Sequence, residues 1–344
     1  MIWLSFGIGV LIEQGHSMSG QNLSAKIAGT GMAVPAKVWD NFKLATLVET
    51  SDEWITQRVG IKERRIAEDN EYTSDFSTKA ALQALERANM TADQLDLILV
   101  ATSTPDMILP NTACLVQKNI GAVNAAALDI CSACSGFIYG SAIAWGMIKS
   151  GIMKNILLIG VELNSRILNW KDRGTCILFG DGAGAAVWTA CDASEGGMLG
   201  FVMGADGNYA DLLTLPNSGC RKYPEYDGTY ITMHGNETFK QAVRTMNECA
   251  LEVLEKVGLK PEDVDLLIPH QANIRIIEAV QKRLNLPPEK VFVNIQKYGN
   301  TTAGTIPIAL HEALDQGLVK KGDILLMDAF GAGLTWGAFV MKWA

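Results

Sequence analysis

Ala92-Asp93-Gln94-Leu95-Asp96-Leu97-Ile98-Leu99 and, 169 residues later, Pro261-Glu262-Asp263-Val264-Asp265-Leu266-Leu267-Ile268 share one pattern. In each, a polar turn closes a helix and a short run of branched apolar residues follows, as in a strand buried on both faces. Ile156-Leu157-Leu158-Ile159 and Ile324-Leu325-Leu326-Met327 repeat the correspondence at an offset of 168 residues. A short apolar run alone does not separate a strand from a buried helix, but a near-constant offset between two sets of them points to two copies of one βα unit set. The intervening segments fit this reading. Helices are predicted over Ser77 to Ala88, Ala113 to Asn119 and, largely apolar, about Cys134 to Lys149, with a strand over Ala126 to Ile130. Phe179-Gly180-Asp181-Gly182-Ala183-Gly184 reads as a turn leading into a strand at Ala185-Ala186-Val187-Trp188. The expected architecture is α/β, with two sheets back to back, helices between and outside them, and equivalent edges of the two halves meeting at one cleft.

With 344 residues, 48% hydrophobic and 19% charged, the chain has ample core for one large unit or two fused domains and is not composed like a disordered protein. A formal charge of −8 opposes a nucleic-acid role, because phosphate binding needs a basic surface, and leaves room only for a local basic patch. The seven cysteines are scattered without a dense framework, which points to the reducing cytoplasm. Cys131-Ser132-Ala133-Cys134 has CxxC spacing but no second pair to complete a zinc site, so no metal is expected. The apolar run from Ile2 to Ile12 lacks a basic flank and is too short to span a bilayer, so no membrane association is expected. Three readings of this segment stand: a start-site artefact with Met18 as the natural start, a packed extension, or a signal peptide. The globular pattern begins at Lys26-Ile27-Ala28-Gly29, which assigns residues 1–25 to an N-terminal extension.

Asp129-Ile130-Cys131-Ser132-Ala133-Cys134-Ser135-Gly136 places small residues between a strand and an apolar helix. Cys134 is expected in the first turn of that helix, where free N–H groups and the positive helix end favour thiolate and lower the pKa from its ordinary value of about 8.5. A buried structural cysteine is the alternative. Pro269-His270-Gln271-Ala272-Asn273 puts a histidine where the second-half strand turns into a helix, and Gly299-Asn300-Thr301-Thr302-Ala303-Gly304 puts an asparagine in a turn before another. Each residue alone has a structural explanation, His270 as a core histidine and Asn300 as a cap. Together with Cys134 in a repeated scaffold they form a nucleophile and two hydrogen-bonding partners.

These residues carry a resemblance to the beta-ketoacyl-acyl carrier protein synthase III family of thiolase-fold condensing enzymes, extending from Lys26 to the last residues. Thr50-Ser51-Asp52-Glu53-Trp54-Ile55, Asp172-Arg173-Gly174-Thr175, Met233-His234-Gly235-Asn236-Glu237 and Phe330-Gly331-Ala332-Gly333-Leu334-Thr335-Trp336-Gly337 belong to the same ordered match. The resemblance implies a thiolase-like duplicated fold layered α-β-α-β-α with two mixed sheets, residues 26–190 carrying the nucleophile and residues 191–344 the histidine and asparagine. It implies that Cys134 is acylated and that His270 and Asn300 serve condensation, with an oxyanion hole made by the backbone amides of Cys134 and Ala332. Glycine is frequent in the family at the latter position, so Ala332 is a departure that keeps the amide and adds a methyl group.

By the same resemblance Trp54, Arg58 and Arg173 hold coenzyme A, while Lys240, Arg275 and Lys282 dock an acidic carrier protein. Leu109 stands where the family closes the acyl pocket across a homodimer interface, although the familiar bulky aromatic is absent. The implied activity moves an acyl primer, acetyl first among the candidates, from coenzyme A to Cys134 and condenses it with malonyl-acyl carrier protein, releasing carbon dioxide and initiating type II fatty acid synthesis. Acyl-coenzyme A is a substrate, no tightly bound cofactor is implied, and the partner is acyl carrier protein carrying malonyl-phosphopantetheine. Two other readings compete: a condensing enzyme or acyltransferase of specialised metabolism with a longer primer, and a non-catalytic acyl-binding protein.

Overall fold

The structure is a computed structural model and describes residues 22–344, so the expectations for the Ile2-to-Ile12 run and for a start at Met18 lie outside the described residues. Five strands, β1 (Leu23–Ala33), β2 (Leu97–Ala101), β3 (Ala126–Ile130), β4 (Asn155–Leu163) and β5 (Asp181–Asp192), form one mixed sheet in the order β1-β5-β4-β2-β3. Four more, β6 (Gly197–Ala205), β7 (Leu266–Pro269), β8 (Ile324–Gly331) and β9 (Thr335–Lys342), form the second in the order β7-β8-β9-β6. Read from the other edge, β6-β9-β8-β7 reproduces β1-β5-β4-β2, and in both sets of four the last pair is parallel and the other two antiparallel; β3 adds a second parallel pair to the first sheet. The counterpart of β3 is reduced to a single parallel bridge between Leu267 and Val291. The repeat read from the two apolar motifs is therefore the repeat of the fold.

Among the described residues, seven helices of eight residues or more complete the layers: α1 (Asp52–Val59), α2 (Thr73–Arg87), α3 (Thr112–Ile120), α4 (Gly136–Lys149), α5 (Gly235–Lys256), α6 (Ile274–Arg283) and α7 (Thr305–Asp315). Side chains alternate along a strand, so each central strand feeds two cores. Leu97 and Leu99 of β2, with Leu325 and Met327 of β8, point inward onto Phe137 and Ile138 of α4 and Ile306 and Leu310 of α7. Ile98 and Val100 turn outward onto Phe76 and Ala84 of α2 and Val116 of α3. On the opposite side Leu267 and Leu326 meet Met246 and Val253 of α5 and Val280 of α6. The order is α-β-α-β-α, with α4 and α7 sandwiched between the sheets. That position explains why α4 is apolar almost all round.

One boundary differs in a way that matters for the chemistry. The apolar helix begins at Gly136, and Cys134 lies before it in a short 3-10 turn, Ala133–Ser135. Ala133 has φ 44°, a left-handed conformation that costs an L-residue with a Cβ roughly 1–2 kcal/mol. The chain reverses sharply there and delivers Cys134 from the end of β3 toward the interface between the halves.

Candidate active site

Three polar residues from separate segments line one cavity of about 100 Å³: Cys134 in its turn, His270 after β7 and Asn300 before α7. Both halves are needed to build it. The β8 end comes so close to the nucleophile turn that a Cβ on Gly331 would stand 2.8 Å from the Cys134 nitrogen. Asn300 is held across the halves by a bridge to Phe179, its N–H donating to the Leu178 carbonyl at 2.8 Å and its own carbonyl accepting from Gly180 N–H at 3.0 Å.

The Asn300 side chain has a determined direction. Its Oδ1 accepts the Thr302 N–H at 2.8 Å, which leaves the Nδ2 hydrogens to face the cavity. Thr302 in turn donates from Oγ1 to Asn164 Oδ1 at 3.1 Å, and Asn164 Nδ2 donates to the carbonyls of Gly180 and Asn300 at 2.9 and 3.2 Å. Asn164 and Thr302 were not legible as site residues, because polar side chains in loops give no signal until the two halves are joined.

His270 is held at its backbone by donation from its N–H to the Asp328 carbonyl at 2.8 Å, and at its ring by a 2.6 Å contact between Nδ1 and Thr305 Oγ1. Its Nε2 is buried without a protein partner and belongs to the cavity wall. Burial drives the imidazole pKa down to about 3, so the ring is neutral throughout the working range of an enzyme. A neutral ring has one N–H to give and one lone pair.

The electrostatics of Cys134 overturn the expectation of a lowered pKa. Burial, followed by the nearby Glu162 carboxyl, pushes the thiol up to about 12, and hydrogen bonds from Asn300, its own backbone and Thr302 offset this only in part. Glu162 is itself pushed up to about 7 by burial, against donation from Thr104 Oγ1 at 2.7 Å and Ser103 N–H at 2.8 Å. The reason is geometric. Cys134 lies in a buried 3-10 turn before the α-helix, where a charged sulfur loses its hydration and has the Glu162 carboxyl nearby.

Beyond Cys134 a second cavity of about 80 Å³ is walled by Ile167, Phe179, Leu213, Leu215 and Ile231, with Ala332 at its edge. The Thr335 hydroxyl donates to the Ala332 carbonyl at 3.0 Å, which fixes the peptide beside the nucleophile. Leu109 is not part of this wall. It is 82% exposed, with Ile108 beside it at 78%.

The expected coenzyme A residues do assemble: the Arg173 guanidinium sits 4.9 Å and that of Arg58 5.3 Å from the centre of the Trp54 ring. Helix α1 is set against the start of α6 at Gly60, φ 82°, where a Cβ would stand 2.7 Å from that of Ile274. The Trp54 cluster is thereby tied to the helix that follows His270. Arg275 stacks 5.2 Å from the centre of Phe239, a residue of the first cavity's wall, and Lys240 follows Phe239 on α5, paired with Glu237 at 2.8 Å. Lys282 is exposed two turns further along α6. Among the described residues no cluster of metal-ligating side chains and no helix long and apolar enough to cross a membrane occurs.

Comparisons with known proteins agree with this geometry. Family models described as 3-oxoacyl-[acyl-carrier-protein] synthase III and as the C-terminal part of that synthase match residues 128–207 and 254–343. The chain is 53% identical over 329 residues to beta-ketoacyl-[acyl-carrier-protein] synthase III of Caldanaerobacter subterraneus, covering 94% of this chain and 99% of that one. It is similar to the crystal structure of the Aquifex aeolicus 3-oxoacyl-[acyl-carrier-protein] synthase III at a TM-score of 0.88 and 53% identity, over 93% of this chain and 100% of that one. The priming beta-ketosynthase of the R1128 polyketide pathway is similar at a TM-score of 0.88 and 32% identity, over 94% and 97% of the two chains.

The raised thiol pKa has a direct consequence for reactivity. Because the pKa lies above the ordinary value, the thiolate fraction of Cys134 should grow about tenfold per pH unit from neutrality upward. Alkylation of Cys134 by iodoacetamide, followed by peptide mass, should rise without a plateau from pH 7 to about 10. A plateau near neutral pH would mean that helix-end stabilisation prevails over burial.

Proposed function

The chain belongs to the beta-ketoacyl-[acyl-carrier-protein] synthase III family, the condensing acyltransferases that initiate fatty acid synthesis, and we propose that Cys134, His270 and Asn300 are its catalytic residues and acetyl-coenzyme A its preferred primer donor. The observation that carries this reading is the convergence of the three side chains on one cavity, with a neutral His270 and an amide direction fixed at Asn300. The proposal includes the division into a nucleophile half, residues 26–190, and a His/Asn half, residues 191–344, supported by the matching strand orders.

Acyl transfer needs no net proton from solvent. The Cys134 hydrogen leaves as its sulfur attacks the donor thioester, and the departing coenzyme A sulfur takes up a proton. Burial penalises the thiolate but neither the neutral thiol nor the neutral thioester that replaces it, so both resting states suit the cavity. The tetrahedral oxyanion would be received by the backbone amides of Cys134 and Ala332. In the second half-reaction the malonyl thioester loses carbon dioxide, and its enolate oxygen accepts from His270 Nε2–H and Asn300 Nδ2–H. The carbanion then attacks the Cys134 thioester, and the sulfur is released. A preorganised donor of this kind is worth about 2.7–4 kcal/mol in the transition state.

The second cavity, small and apolar, supports a short primer. Trp54, Arg58 and Arg173 would hold the coenzyme A adenine by stacking, and Lys240, Arg275 and Lys282 would steer the acidic carrier protein to the mouth of the first cavity. The Lys240–Glu237 pair is exposed and so too weak to withhold that lysine from a partner. Exposed Met107, Ile108 and Leu109 beside Leu128 on the free edge of the first sheet support a homodimer, in which Leu109 would close the partner's acyl pocket. No resident cofactor takes part in these steps. The cysteines, none of them paired, support a reducing cytoplasmic setting.

Three measurements test this reading. A His270→Ala protein should accept acetyl from coenzyme A on Cys134 yet form at least about 100-fold less ketoacyl product; equal losses in both half-reactions would remove the division of labour. Arg275→Ala should raise the carrier-protein concentration needed for half-maximal turnover severalfold at low salt, with the gap closing as salt is added; an unchanged requirement at low salt would take Arg275 out of the patch. Leu109→Phe should depress transfer from longer and branched donors more than from acetyl-coenzyme A. A uniform loss, or an unaltered length profile, would exclude Leu109 from pocket depth and with it the contact across a dimer.

A further inference from the structure

One ring nitrogen of His270 meets the cavity and the other meets a buried hydroxyl, that of Thr305. Thr305 is the first residue of α7, buried, with its Oγ1 2.6 Å from His270 Nδ1 and 3.1 Å from the Thr302 carbonyl. A hydroxyl has a single hydrogen, so only one of these contacts can be its donation. If it went to Thr302, Nδ1 would have to be the donor of the other contact, and Nε2 would present a lone pair to the cavity.

Two observations place the hydrogen on the His270 side. The Thr302 carbonyl already accepts the backbone N–H of Thr305 and does not need the hydroxyl. The 2.6 Å separation is below the usual range of about 2.7–3.2 Å for an N–H donating to oxygen, and the contact to the Thr302 carbonyl is the longer of the two at 3.1 Å. We propose that Thr305 is a positioning residue that holds His270 as its Nε2–H tautomer by donating its hydroxyl to Nδ1. Nε2, buried and with no protein partner, then offers a hydrogen into the cavity shared with Cys134. The inference rests on the proposed condensation chemistry for its purpose: an enolate oxygen needs a donor at Nε2, and a lone pair there would repel it. Thr305 suits the task because it is buried at the helix start with its hydroxyl already against the ring nitrogen.

The test reads the tautomer and the half-reactions separately. The chain has only four histidines, so nitrogen NMR of protein labelled in histidine, with His270→Ala used to assign the signal, reports which ring nitrogen is protonated. The expected result is protonation of Nε2 in the unaltered protein. Thr305→Val, similar in shape but without the donor, should lower condensation about 10- to 100-fold, on the scale known for partners that orient metal-bound histidines. Acyl transfer to Cys134 should be unchanged by comparison, because His270 is not needed for that step. Thr305→Ser should restore condensation. A His270 protonated on Nδ1, or a valine variant with an undiminished ratio of condensation to acylation, overturns the proposal. Should the valine variant not fold, the tautomer of the unaltered protein decides alone. An unaltered protein that does not acylate at all would instead defeat the functional reading, while the tautomer would still be read.

Discussion

Backbone from one half of the molecule must pass within contact distance of backbone from the other at the nucleophile, and the rest of the site depends on that approach. Where β8 ends, a single added Cβ on Gly331 would collide with the nitrogens of Cys134 and Ser135, at 2.8 and 3.0 Å. Facing it, β4 lies so close to the turn before α7 that a Cβ on Gly160 would be 2.1 Å from the Ala303 carbonyl oxygen. Side chains cannot intervene at either place. The turn carrying Cys134 and the turn carrying Asn300 are therefore pressed against the opposite half, and the hydrogen-bond chain Asn300–Thr302–Asn164 can span the junction. Close-packed interiors transmit small displacements, so the geometry at Cys134 is set by the docking of the two halves rather than by either loop alone.

The residues at this junction are buried, and burial determines the resting state of the chemistry. Burial raises the pKa of Cys134 and Glu162 and lowers that of His270, so the groups nearest the reacting atoms favour their neutral forms. That suits a reaction whose first product is a neutral thioester and whose second step generates an enolate. Charge appears only in passing, and in a low dielectric the donors aimed at it act strongly. The charged residues proposed for substrate handling, Arg58, Arg173, Lys240, Arg275 and Lys282, are all exposed, where charge is cheap to maintain and can act over distance.

Much of this was legible in the sequence, for identifiable reasons. The duplicated strands could be read because strands buried on both faces are continuous apolar runs, and two pairs of them recurred at nearly one offset; the strand predicted over Ala126 to Ile130 is β3. Cys134, His270 and Asn300 could be read as candidates because each stands in a turn beside an apolar element, and the repeated scaffold and the family resemblance joined the three. The start of α4 could not be read, since the left-handed turn at Ala133 leaves no mark in an alanine; the direction of the Cys134 pKa shift was missed because neither the burial of the thiol nor the approach of Glu162 shows in the residues beside it. Thr305, Asn164 and Glu162 escaped for a different reason. Each is an ordinary polar residue whose role exists only through a neighbour 35 to 136 positions away in the chain.

The central claim is that Cys134 holds the acyl group and gives it up to a malonyl-derived enolate in the same cavity. Peptide mapping after incubation with labelled acetyl-coenzyme A, before and after addition of malonyl-acyl carrier protein, tests it most directly. The account predicts label on the Cys134 peptide alone, discharged by the malonyl carrier protein with one carbon dioxide released per acetyl group. Label on Cys131 or another cysteine, or an acetyl-Cys134 that malonyl carrier protein leaves in place, would contradict it.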